Sequence, residues 1–418
     1  MRARKHWLGI SGIVVLLTIP VTLGRSQDRS TAGREDELPD LSKLHPLHRA
    51  VYLSSRRGAE WLWQANRPDG LFTHGLVPAL NVELEGDHYL RQTGATSALA
   101  KAARFTGSSR YAVRARQAVL ALLASTKTDP ADPGSRYTMF PASEVDRIAA
   151  AALLALVIQE LPEPGQDVLE QAEQLCRFLT RQQQADGSWK LGDQSSGPEA
   201  QPAAAQAPAM AVLALIRSQA IRPSDWKKPA IDKGLARCRT TWSTQKDLGV
   251  APWLAMAAAD AYLLSQEKQH ADFAFEVVDW MCGLQFTADP RQPLWQGGFA
   301  RWKDGKPFAM APDIESARPA EAIAHACRTA RQVGDAQRYE RYREAAERTL
   351  QFLTTLQYST GNTRHFAESY RPQLLGAFHA SHQDGRVRLD YTQFAVCAMM
   401  EYLESVAQLG PQAKGPGR

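Results

Sequence analysis

The residues that could do chemistry stand in short polar segments, each directly before an Ala-rich apolar stretch. Paired carboxylic acids in a cleft can protonate a leaving oxygen and activate a water molecule, and a tyrosine beside them can move a proton. The sequence offers four candidate catalytic residues at these positions: Asp146, Glu315, Asp390 and Tyr391. They are far apart along the chain, so they can act together only if the fold brings separate segments to one cavity.

A second set of residues, from the same segments and the loops beside them, could bind a ligand. Arginine pairs with carboxylates through two parallel hydrogen bonds. An arginine at a helix N-terminus also opposes the helix dipole, which makes a purely structural role harder to argue. The candidates for substrate binding are Arg91, Gln92, Arg318, His74 and Trp295. Together with the carboxylates they favour an anionic or hydroxyl-rich ligand, such as a polysaccharide or oligosaccharide.

Each candidate also has a structural interpretation. Aspartate and serine are common at the first residues of helices because their side chains cap backbone N–H groups. His74 follows a turn and could bond to the backbone, and Trp295 could simply pack against its own turn. Side chains that bind a ligand would converge on a cavity, whereas capping side chains would point along their own helices.

The elements that must position these residues are helices, because helical periodicity dominates and strand-like alternation is rare. Twelve helices are expected, near residues 46–65, 92–105, 110–124, 144–160, 165–183, 205–219, 229–243, 252–266, 270–286, 317–331, 336–357 and 389–408. The first helix of each pair is amphipathic, and the second is Ala-rich and apolar nearly all round, as in residues 148–156 and 255–264. A helix that is apolar on all sides is buried. The sequence therefore predicts an all-α fold, an (α/α)6 toroid of six helical hairpins in which outer and inner helices alternate.

Loop lengths indicate where the candidates meet. The loops that leave the outer helices are long (66–91, 125–143, 184–204 and 287–316), whereas those that leave the inner helices are short. Long loops of this kind are usually functional or disordered. Because they all open at the same end of the predicted ring, they should build one face, and the candidate residues should line a cavity there.

A repeated phrase near the ends of the outer helices supports this architecture. It consists of an apolar run, a glutamine, a turn built on glycine, and then an aromatic residue. In order of decreasing clarity, the glutamines of its four copies are Gln183, Gln64, Gln285 and Gln357. Internal repetition on this scale is typical of a fold built by repeating one structural unit.

The segment from Gln183 through Asp186-Gly187-Ser188 to Trp189 resembles the QW repeat of squalene cyclases. Over roughly residues 46–410, the chain resembles the α/α toroids of the terpenoid-cyclase and protein-prenyltransferase superfamily. The resemblance implies that the glutamine bonds to the next helix end and that the tryptophan stacks on it, which ties neighbouring hairpins together. Six-hairpin glycosidases, uronate epimerases and polysaccharide lyases resemble this architecture as well.

The motifs that would give such a toroid terpenoid chemistry are absent from the sequence. No DxDD or DDxxD motif occurs, and Asp279 and Cys282 have the wrong spacing for the zinc-binding DxC pair of prenyltransferases. His379 and His382 have the spacing of metal ligands, but exposed loops yield such pairs by chance. The five cysteines form no CxxC motif and are expected to be buried free thiols. We therefore expect no metal and no cofactor.

Composition and the N-terminus bear on location and partners. Four of the +5 net charges come from the leader: Arg2, Arg4, Lys5 and Arg25. The rest of the chain lies near +1, which leaves no basic field for nucleic acid. A basic segment followed by apolar residues 7–24 is the plan of a secretory signal or an N-terminal anchor. The expected organisation is a signal peptide or membrane anchor at 1–26, a polar tether at 27–45, the toroid at 46–410 and a disordered tail at 411–418. The protein should be exported, periplasmic or extracellular, and should contact a membrane only if residues 7–24 are not cleaved.

Three functions remain open at this point. The first is a carbohydrate-active enzyme, a hydrolase, lyase or epimerase that acts on a polysaccharide through carboxylates at the mouth of the ring. The second is a non-catalytic repeat protein that binds a glycan or a protein with the same face. The third is a terpenoid-cyclase-like or prenyltransferase-like protein without the DxDD and zinc motifs. Two carboxyl groups about 5–10 Å apart would favour a glycosidase, whereas tyrosine clustered with arginine or histidine would favour a lyase or an epimerase.

Overall fold

The computed structural model describes residues 40–190 and 200–409. The expected leader (1–26), most of the expected tether (27–45) and the expected tail (411–418) lie outside the described residues. Over the described ranges, no helix combines the length and the apolar character that are needed to cross a membrane.

The described chain is mostly helical, and each of the twelve predicted helices is present. Their bounds, with one extra short helix (α12), are α1 (Pro46–Ala65), α2 (Tyr89–Thr106), α3 (Ser109–Ala124), α4 (Arg147–Glu160), α5 (Gln166–Gln182), α6 (Ala200–Ile221), α7 (Lys227–Thr244), α8 (Ala251–Ser265), α9 (Lys268–Cys282), α10 (Ala317–Val333), α11 (Ala336–Thr355), α12 (Arg371–Leu374) and α13 (Leu389–Ser405). The all-α prediction is confirmed.

The Ala-rich helices form a closed inner ring. α2 packs on α4, and the series continues through α6, α8, α10 and α13 back to α2. Each outer helix packs mainly on the inner helix that precedes it in the ring: α3 on α2, α5 on α4, α7 on α6, α9 on α8, α11 on α10 and α1 on α13. The inner helices approach closely because small side chains cover them, and the run from Ala149 to Ala152 is at most 1% exposed. The predicted inner placement of residues 148–156 and 255–264 is confirmed.

The long loops carry short strands that the sequence analysis did not predict. Four of these strands form a sheet in the order β2-β1-β8-β7: β1 (Gly75–Val77), β2 (Val82–Glu83), β7 (His379–Ser381) and β8 (Asp384–Arg388). Leu76 pairs with Val387, so this sheet joins the first long loop to the last. It connects the two ends of the ring in addition to the contact between α13 and α2. Two separate hairpins stand on other loops, β3–β4 (Thr126–Asp129 and Asp132–Thr138) and β5–β6 (Arg301–Lys303 and Lys306–Phe308).

The repeated phrase forms the same turn four times. In each copy an amide-bearing residue and an aromatic residue form an isolated bridge: Gln183 with Trp189, Asn66 with Phe72, Gln285 with Phe299 and Gln357 with Phe378. In three copies the side-chain amide donates to a backbone carbonyl of the next outer helix: Gln183 to Ala230 (3.0 Å), Gln285 to Ala345 (2.8 Å) and Gln357 to Ser54 (2.9 Å). The turns therefore tie α5 to α7, α9 to α11 and α11 to α1, which joins neighbouring hairpins as the resemblance implied.

A glycine in each turn allows this close approach. At Gly187 (φ +83°) a side chain would stand 2.3 Å from the carbonyl oxygen of Lys233 in α7. At Gly376 (φ +92°) it would stand 2.3 Å from the carbonyl oxygen of Arg57 in α1. The backbone of the turn lies directly on the next helix, in a conformation that glycine adopts without strain.

One copy of the turn differs from the prediction. Asn66, and not Gln64, takes the amide position, and it donates to the carbonyl of Gly70 in its own turn at 2.8 Å. Gln117 of α3 supplies the link between helices instead, by donating to the Pro68 carbonyl at 2.7 Å. In this copy the side-chain amide that makes the link belongs to α3 and the carbonyl belongs to the turn, but α1 and α3 are still joined.

The substitution Gln183→Ala is expected to lower the free energy of unfolding by about 1–2 kcal/mol, because a buried backbone carbonyl loses its side-chain donor. The neighbouring Gln184 is exposed, and Gln184→Ala removes the same kind of side chain without breaking the tie. Denaturant unfolding of the two variants measures the difference. Equal stabilities would contradict the role assigned to Gln183.

Ionisable side chains line the short-loop end of the inner ring. All six inner helices contribute ionisable side chains there: Lys101 and Arg104 from α2, Glu160 from α4, Arg217 from α6, Asp260 from α8, His325 and Arg328 from α10, and Glu401 and Glu404 from α13. Contacts between ionisable side chains join the neighbours: Arg104–Glu160 (2.7 Å), Glu160–Arg217 (3.9 Å), Arg217–Asp260 (2.8 Å), Asp260–Arg328 (2.9 Å), His325–Glu401 (3.4 Å) and Glu401–Lys101 (2.9 Å). We call this ring the ionic floor.

Pairing keeps Lys101 and Glu401 of the ionic floor in their charged forms. Burial alone would lower the pKa of Lys101, but Glu401 and Glu321 raise it well above its usual value. Burial would likewise raise the pKa of Glu401, but His325 and Lys101 hold it well below its usual range. Buried charges persist in a low-dielectric interior only with such partners.

Candidate functional site

A cavity of about 640 Å³ opens at the long-loop end of the ring, and we call it the main cavity. Its walls come from the beginnings of α6 and α10, the segment before α8, and the loop between α9 and α10. The polar and aromatic residues that line it include Gln206, Asp247, Arg301, Trp302, Asp313, Glu315 and Arg318. Glu315 and Arg318 were both predicted from the sequence, and the structure places them together. The volume is typical of a site for a small ligand.

Asp313 and Glu315 form a carboxylate pair that one guanidinium holds. Arg301 binds the Asp313 carboxylate through one amino group, and its other amino group lies 3.2 Å from Glu315. Asp313 also accepts the Glu315 backbone N–H at 3.1 Å, which caps the short turn that follows. The two side chains differ in exposure, 23% for Asp313 and 45% for Glu315. Burial raises the pKa of Asp313, and Arg301 opposes this rise.

Arg318 lines the main cavity from the first turn of α10. Its guanidinium donates to the side-chain oxygen of Gln206 at 2.8 Å and to the Gly249 carbonyl at 3.4 Å. It also lies 5.7 Å from the ring centre of Trp253 and 5.4 Å from that of Phe394. Among the described residues no carboxylate forms an ion pair with it, and burial lowers its pKa. Buried charges are normally paired, so an anionic ligand group would be stabilised here.

An indole ring borders the main cavity as well. Trp302 on β5 is half-buried and packs edge-on against Trp280 of α9, with 5.1 Å between ring centres. A ring held in this way has little conformational freedom to lose on binding. Its flat face is suited to the apolar side of a sugar ring.

A second cavity, of about 160 Å³, lies between the four-stranded sheet and the beginnings of α2 and α13. We call it the small cavity. Three predicted residues line it, His74, Arg91 and Tyr391. Arg91 lies 3.2 Å from the Nε2 atom of His74, and the guanidinium of Arg388 lies 4.5 Å from the ring centre of Tyr391. The structure therefore brings these three predicted residues together, at a position distinct from that of Glu315 and Arg318.

The two titratable rings of the small cavity are uncharged at neutral pH. Burial lowers the pKa of His74, and Arg91 acts in the same direction. Burial also raises the pKa of Tyr391, against the opposing effect of Arg388. The phenol of Tyr391 is therefore a proton donor at neutral pH and not a base.

Asp390 holds the arginines of the small cavity in place. It is 7% exposed, and both its carboxylate oxygens accept hydrogen bonds from Arg388, at 2.6 and 2.7 Å. Arg91 lies 3.7 Å from the same carboxylate. These contacts with arginine give Asp390 a positioning role in the small cavity, and its catalytic role stays a prediction.

Asp146 and Gln92 make structural contacts and line neither the main nor the small cavity, and their predicted roles stay predictions. Asp146 is 3% exposed and caps α4, where its carboxylate accepts the Ala149 backbone N–H at 2.7 Å. Gln92 is 1% exposed, and its side chain accepts from the Phe72 N–H at 2.7 Å and donates to the Phe72 carbonyl at 2.9 Å. Gln92 thus anchors the first repeated turn to its inner helix.

Trp295 is a packing residue. It ends a short 3-10 turn (Pro293–Trp295) and lies against Phe286, with 5.1 Å between ring centres. It lines neither the main nor the small cavity. This contact fits the structural interpretation of Trp295, and its role in ligand binding stays a prediction.

Several residues of the main cavity are not among the candidate site residues predicted from the sequence. Gln206 lies inside α6, where it resembles any polar helical residue. Arg301 and Trp302 stand on β5, a strand too short for its alternation to be recognised. Asp313 had a usable signal, because it stands two residues before Glu315 in the same polar segment.

Metal ligation finds no geometric support in the part of the chain that the structure describes. No group of three or more His, Cys, Asp or Glu side chains is arranged there to hold a metal ion. The two histidines with ligand-like spacing make other contacts. The His379 ring bonds to the Ser381 carbonyl at 2.8 Å, and the His382 ring contacts the Thr355 hydroxyl at 2.8 Å. All five cysteines are free, as expected.

Comparison with known proteins gives structural neighbours only. No protein-family model and no curated protein sequence matches the chain. A sugar epimerase from a ruminal bacterium has a TM-score of 0.62 at 10% identity, over 85% of this chain and 98% of its own. Cellobiose 2-epimerase from Bacillus thermoamylovorans has a TM-score of 0.60 at 12% identity, over 85% and 97%. An unsaturated glucuronyl hydrolase specific for heparin has a TM-score of 0.56 at 12% identity, over 85% and 97%.

These neighbours bear on the fold and on the expected resemblance. All three are similar to this chain over nearly their whole length, so the toroid is shared from end to end. They support the expected resemblance to six-hairpin glycosidases and epimerases, and they give no support to the terpenoid-cyclase half of it. At 10–12% identity the likeness establishes the fold alone. The chain is an (α/α)6 toroid of the architecture found in these sugar-processing enzymes.

Proposed function

We propose that the protein binds an anionic carbohydrate in its main cavity and hydrolyses a glycosidic bond there. The observation that carries the proposal is the composition of this one cavity. It contains an arginine without an ion pair among the described residues, a carboxylate pair and an indole ring. Structural neighbours that act on sugars support the ligand class.

Arg318 would bind the acidic group of the ligand. A carboxylate there would accept charge-assisted hydrogen bonds from a guanidinium that burial has already partly desolvated. Gln206 holds this guanidinium through the 2.8 Å hydrogen bond, so its orientation is set before the ligand arrives. A uronic acid carries such a carboxylate next to ring hydroxyls, and Trp302 could stack on its ring.

The carboxylate pair would supply the acid and the base. Glycoside hydrolysis needs one carboxylic acid that protonates the leaving oxygen and one carboxylate that acts on the anomeric carbon or on water. The raised pKa of the more buried Asp313 suits the acid. Glu315, the more exposed partner, suits the carboxylate. Both bind the same guanidinium, which holds the two carboxylates beside each other in the main cavity.

A second candidate function rests on the small cavity. His74 and Tyr391 lie there with arginines, and a neutral imidazole could remove a proton next to a carbonyl or carboxylate while a phenol donates one. This arrangement favours a lyase or an epimerase. The two reactions leave different products: hydrolysis gives a new reducing end, a lyase gives an unsaturated sugar, and epimerisation changes neither chain length nor saturation.

A matched panel of sugars tests the proposal. Oligosaccharides of glucuronate, galacturonate and mannuronate are compared with those of glucose, galactose and mannose by calorimetric binding, reducing-end release, ultraviolet absorbance and product NMR. The proposal expects the acidic members to bind and to be cleaved. Binding without any product would identify the non-catalytic alternative, and absence of binding to every acidic member would overturn the proposal.

Arg318→Gln is expected to weaken binding of the acidic sugars about 10- to 100-fold, because a hydrogen bond between charged groups contributes roughly 1.5–3 kcal/mol. Binding of neutral sugars should change much less. Arg291→Gln is the matched control, since Arg291 stands on the loop before α10 with its side chain 87% exposed and paired with Asp289. Calorimetry provides the readout, and an equal effect on acidic and neutral sugars would contradict charge recognition.

We also propose that the protein acts outside the cytoplasm. The support is the basic segment followed by apolar residues 7–24. Mass spectrometry of the protein from fractionated cells tests this proposal, because it reports both the location and the first residue of the mature chain. Recovery of the full-length chain in the cytoplasm would reject it.

A further inference from the structure

A third cavity, of about 310 Å³, adjoins the main cavity. It lies between the C-terminal end of α7 and the beginnings of α6 and α8. Ala205 and Asp247 line both cavities, so the two are neighbours at the long-loop end. A single ligand could therefore occupy both. We call this third cavity the apolar pocket.

The apolar pocket differs from the main cavity in chemistry. Trp189, Trp242 and Leu254 line it, together with Pro208 and Cys238. Polar side chains also border it, and these are Ser188, Arg237, Thr241, Gln245 and Asp247. Both indole N–H groups are engaged, one with a backbone carbonyl at 2.9 Å and the other with a carboxylate at 3.0 Å. The rings are thus fixed, and the surface that they leave to a ligand is carbon. Polar sugar hydroxyls would lose their hydrogen bonds to water here without full compensation.

We propose that the ligand of the main cavity carries an apolar group beside its sugar, and that this group occupies the apolar pocket. The ligand class is then an amphiphilic glycoside, an anionic sugar joined to an alkyl or aryl group. The inference rests on the proposed function for the sugar half and extends it to the second half. A volume of about 310 Å³ equals roughly ten water molecules in the liquid, enough for an alkyl chain of about eight carbons.

The position of the pocket favours an attached group over an independent apolar molecule. An attached group is delivered by the sugar, so its binding requires no second loss of translational freedom. The pocket is also small beside the surface that a folded partner protein would need to bury in a stable interface. Its lining residues belong to α6, α7, α8 and the turn that carries Trp189, and they leave a space bounded on several sides.

Alkyl β-D-glucuronides provide the probe. The methyl, butyl, hexyl and octyl members share one sugar and differ only in chain length. Calorimetry on the full chain, below the micelle concentration of each member, measures their affinities. We expect affinity to rise by about three- to fourfold per added methylene while the chain enters the pocket, as burial of apolar surface requires. The methyl member alone reports on the main cavity.

Two tryptophan substitutions separate the pocket from the rest of the surface. Thr241 is exposed and lines the apolar pocket, so Thr241→Trp fills it without crowding the core. Thr240 is also exposed on α7 but is not part of the lining, so Thr240→Trp is the matched control. The gain from chain length should disappear in the first variant and persist in the second. Affinity for the methyl member should be the same in both.

The outcomes distinguish this inference from the proposed function. Binding of methyl glucuronide with no gain from longer chains would overturn the apolar pocket and leave the proposed function standing. A gain that survives Thr241→Trp would show that the chain binds elsewhere and would also overturn it. Failure of every glucuronide to bind, alongside failure of the acidic sugar panel, would remove the proposed function and this inference with it.

Discussion

Replacing Lys101 with methionine is expected to lower the free energy of unfolding by about 3–5 kcal/mol, the usual effect of removing one partner from a buried ion pair. The ammonium lies 2.9 Å from Glu401 and 3.1 Å from Glu321, and the side chains of Lys101 and Glu401 are each 5% exposed. Without the cation these carboxylates stay buried with less compensation. Methionine keeps most of the volume and flexibility of the side chain, so the loss reports charge and not a cavity. Urea unfolding measures it.

The control for this variant is an ion pair on the surface. Lys268 pairs with Asp272 at 2.6 Å, and its side chain is 77% exposed. Surface pairs contribute about 0.2–1 kcal/mol, so Lys268→Met should change stability little. If Lys101→Met has no larger effect than this control, the ionic floor does not depend on Lys101. Neutralising Glu321 and Glu401 to glutamine in the Lys101→Met background should recover part of the loss.

The pH dependence of the same variant follows from the pKa shifts. The pKa of Glu401 is lowered in the folded protein, so its contribution is present above the unfolded value of about 4.3 and is lost as the pH falls through the folded value. The pKa of Lys101 is raised, so its contribution is present below about 10.4 and is lost as the pH rises through the folded value. The difference between the wild type and Lys101→Met should therefore be constant from about pH 5 to pH 9 and shrink in acid.

The sequence predicted the toroid because the signals for its helices are local. An Ala-rich run such as residues 148–156 identifies a buried helix without reference to any partner. The repeated turn is local as well, because Gln183, Gly187 and Trp189 lie within seven residues. The ionic floor has no such signal. Its members come from six helices, and pairs such as Lys101 and Glu401 are 300 residues apart, so only the closed ring shows that they meet.

The candidate site was predictable to the extent that residues near the starts of the inner helices face the long-loop end of the ring. Glu315 and Arg318 share the main cavity, and Arg91 and Tyr391 share the small one. Sequence position cannot distinguish a capping carboxylate from one that faces a ligand, because both stand at the first turn. Asp146 turns to its own backbone and accepts the Ala149 N–H, and its position in the sequence does not show this choice of partner.

The prediction with the largest effect on activity concerns Glu315. Glu315→Gln should reduce turnover of the acidic oligosaccharide that the sugar panel identifies by about 10²- to 10⁴-fold, the usual contribution of a positioned acid or base. Glutamine keeps the size of the side chain and can still contact Arg301, so ligand binding should change by less than about fivefold, well below the effect on turnover. Steady-state kinetics and calorimetry separate the two quantities. Glu144→Gln, at an exposed position of another long loop, is the control.

Asp313→Asn completes the assignment, because asparagine can replace aspartate as a helix cap and therefore preserves the turn before α10. If Asp313 is the general acid, it works only while protonated, and activity is lost as the pH rises through its folded pKa. Burial raises that pKa, so the wild-type enzyme should keep its activity to a higher pH than an ordinary carboxylic acid would allow. In Asp313→Asn the remaining activity should lose this alkaline limb. Two results would contradict the assignment: retention of more than half the turnover in Glu315→Gln, or an unchanged pH profile in Asp313→Asn. Either would show that the carboxylate pair only positions Arg301. The reaction would then have to be sought at His74 and Tyr391.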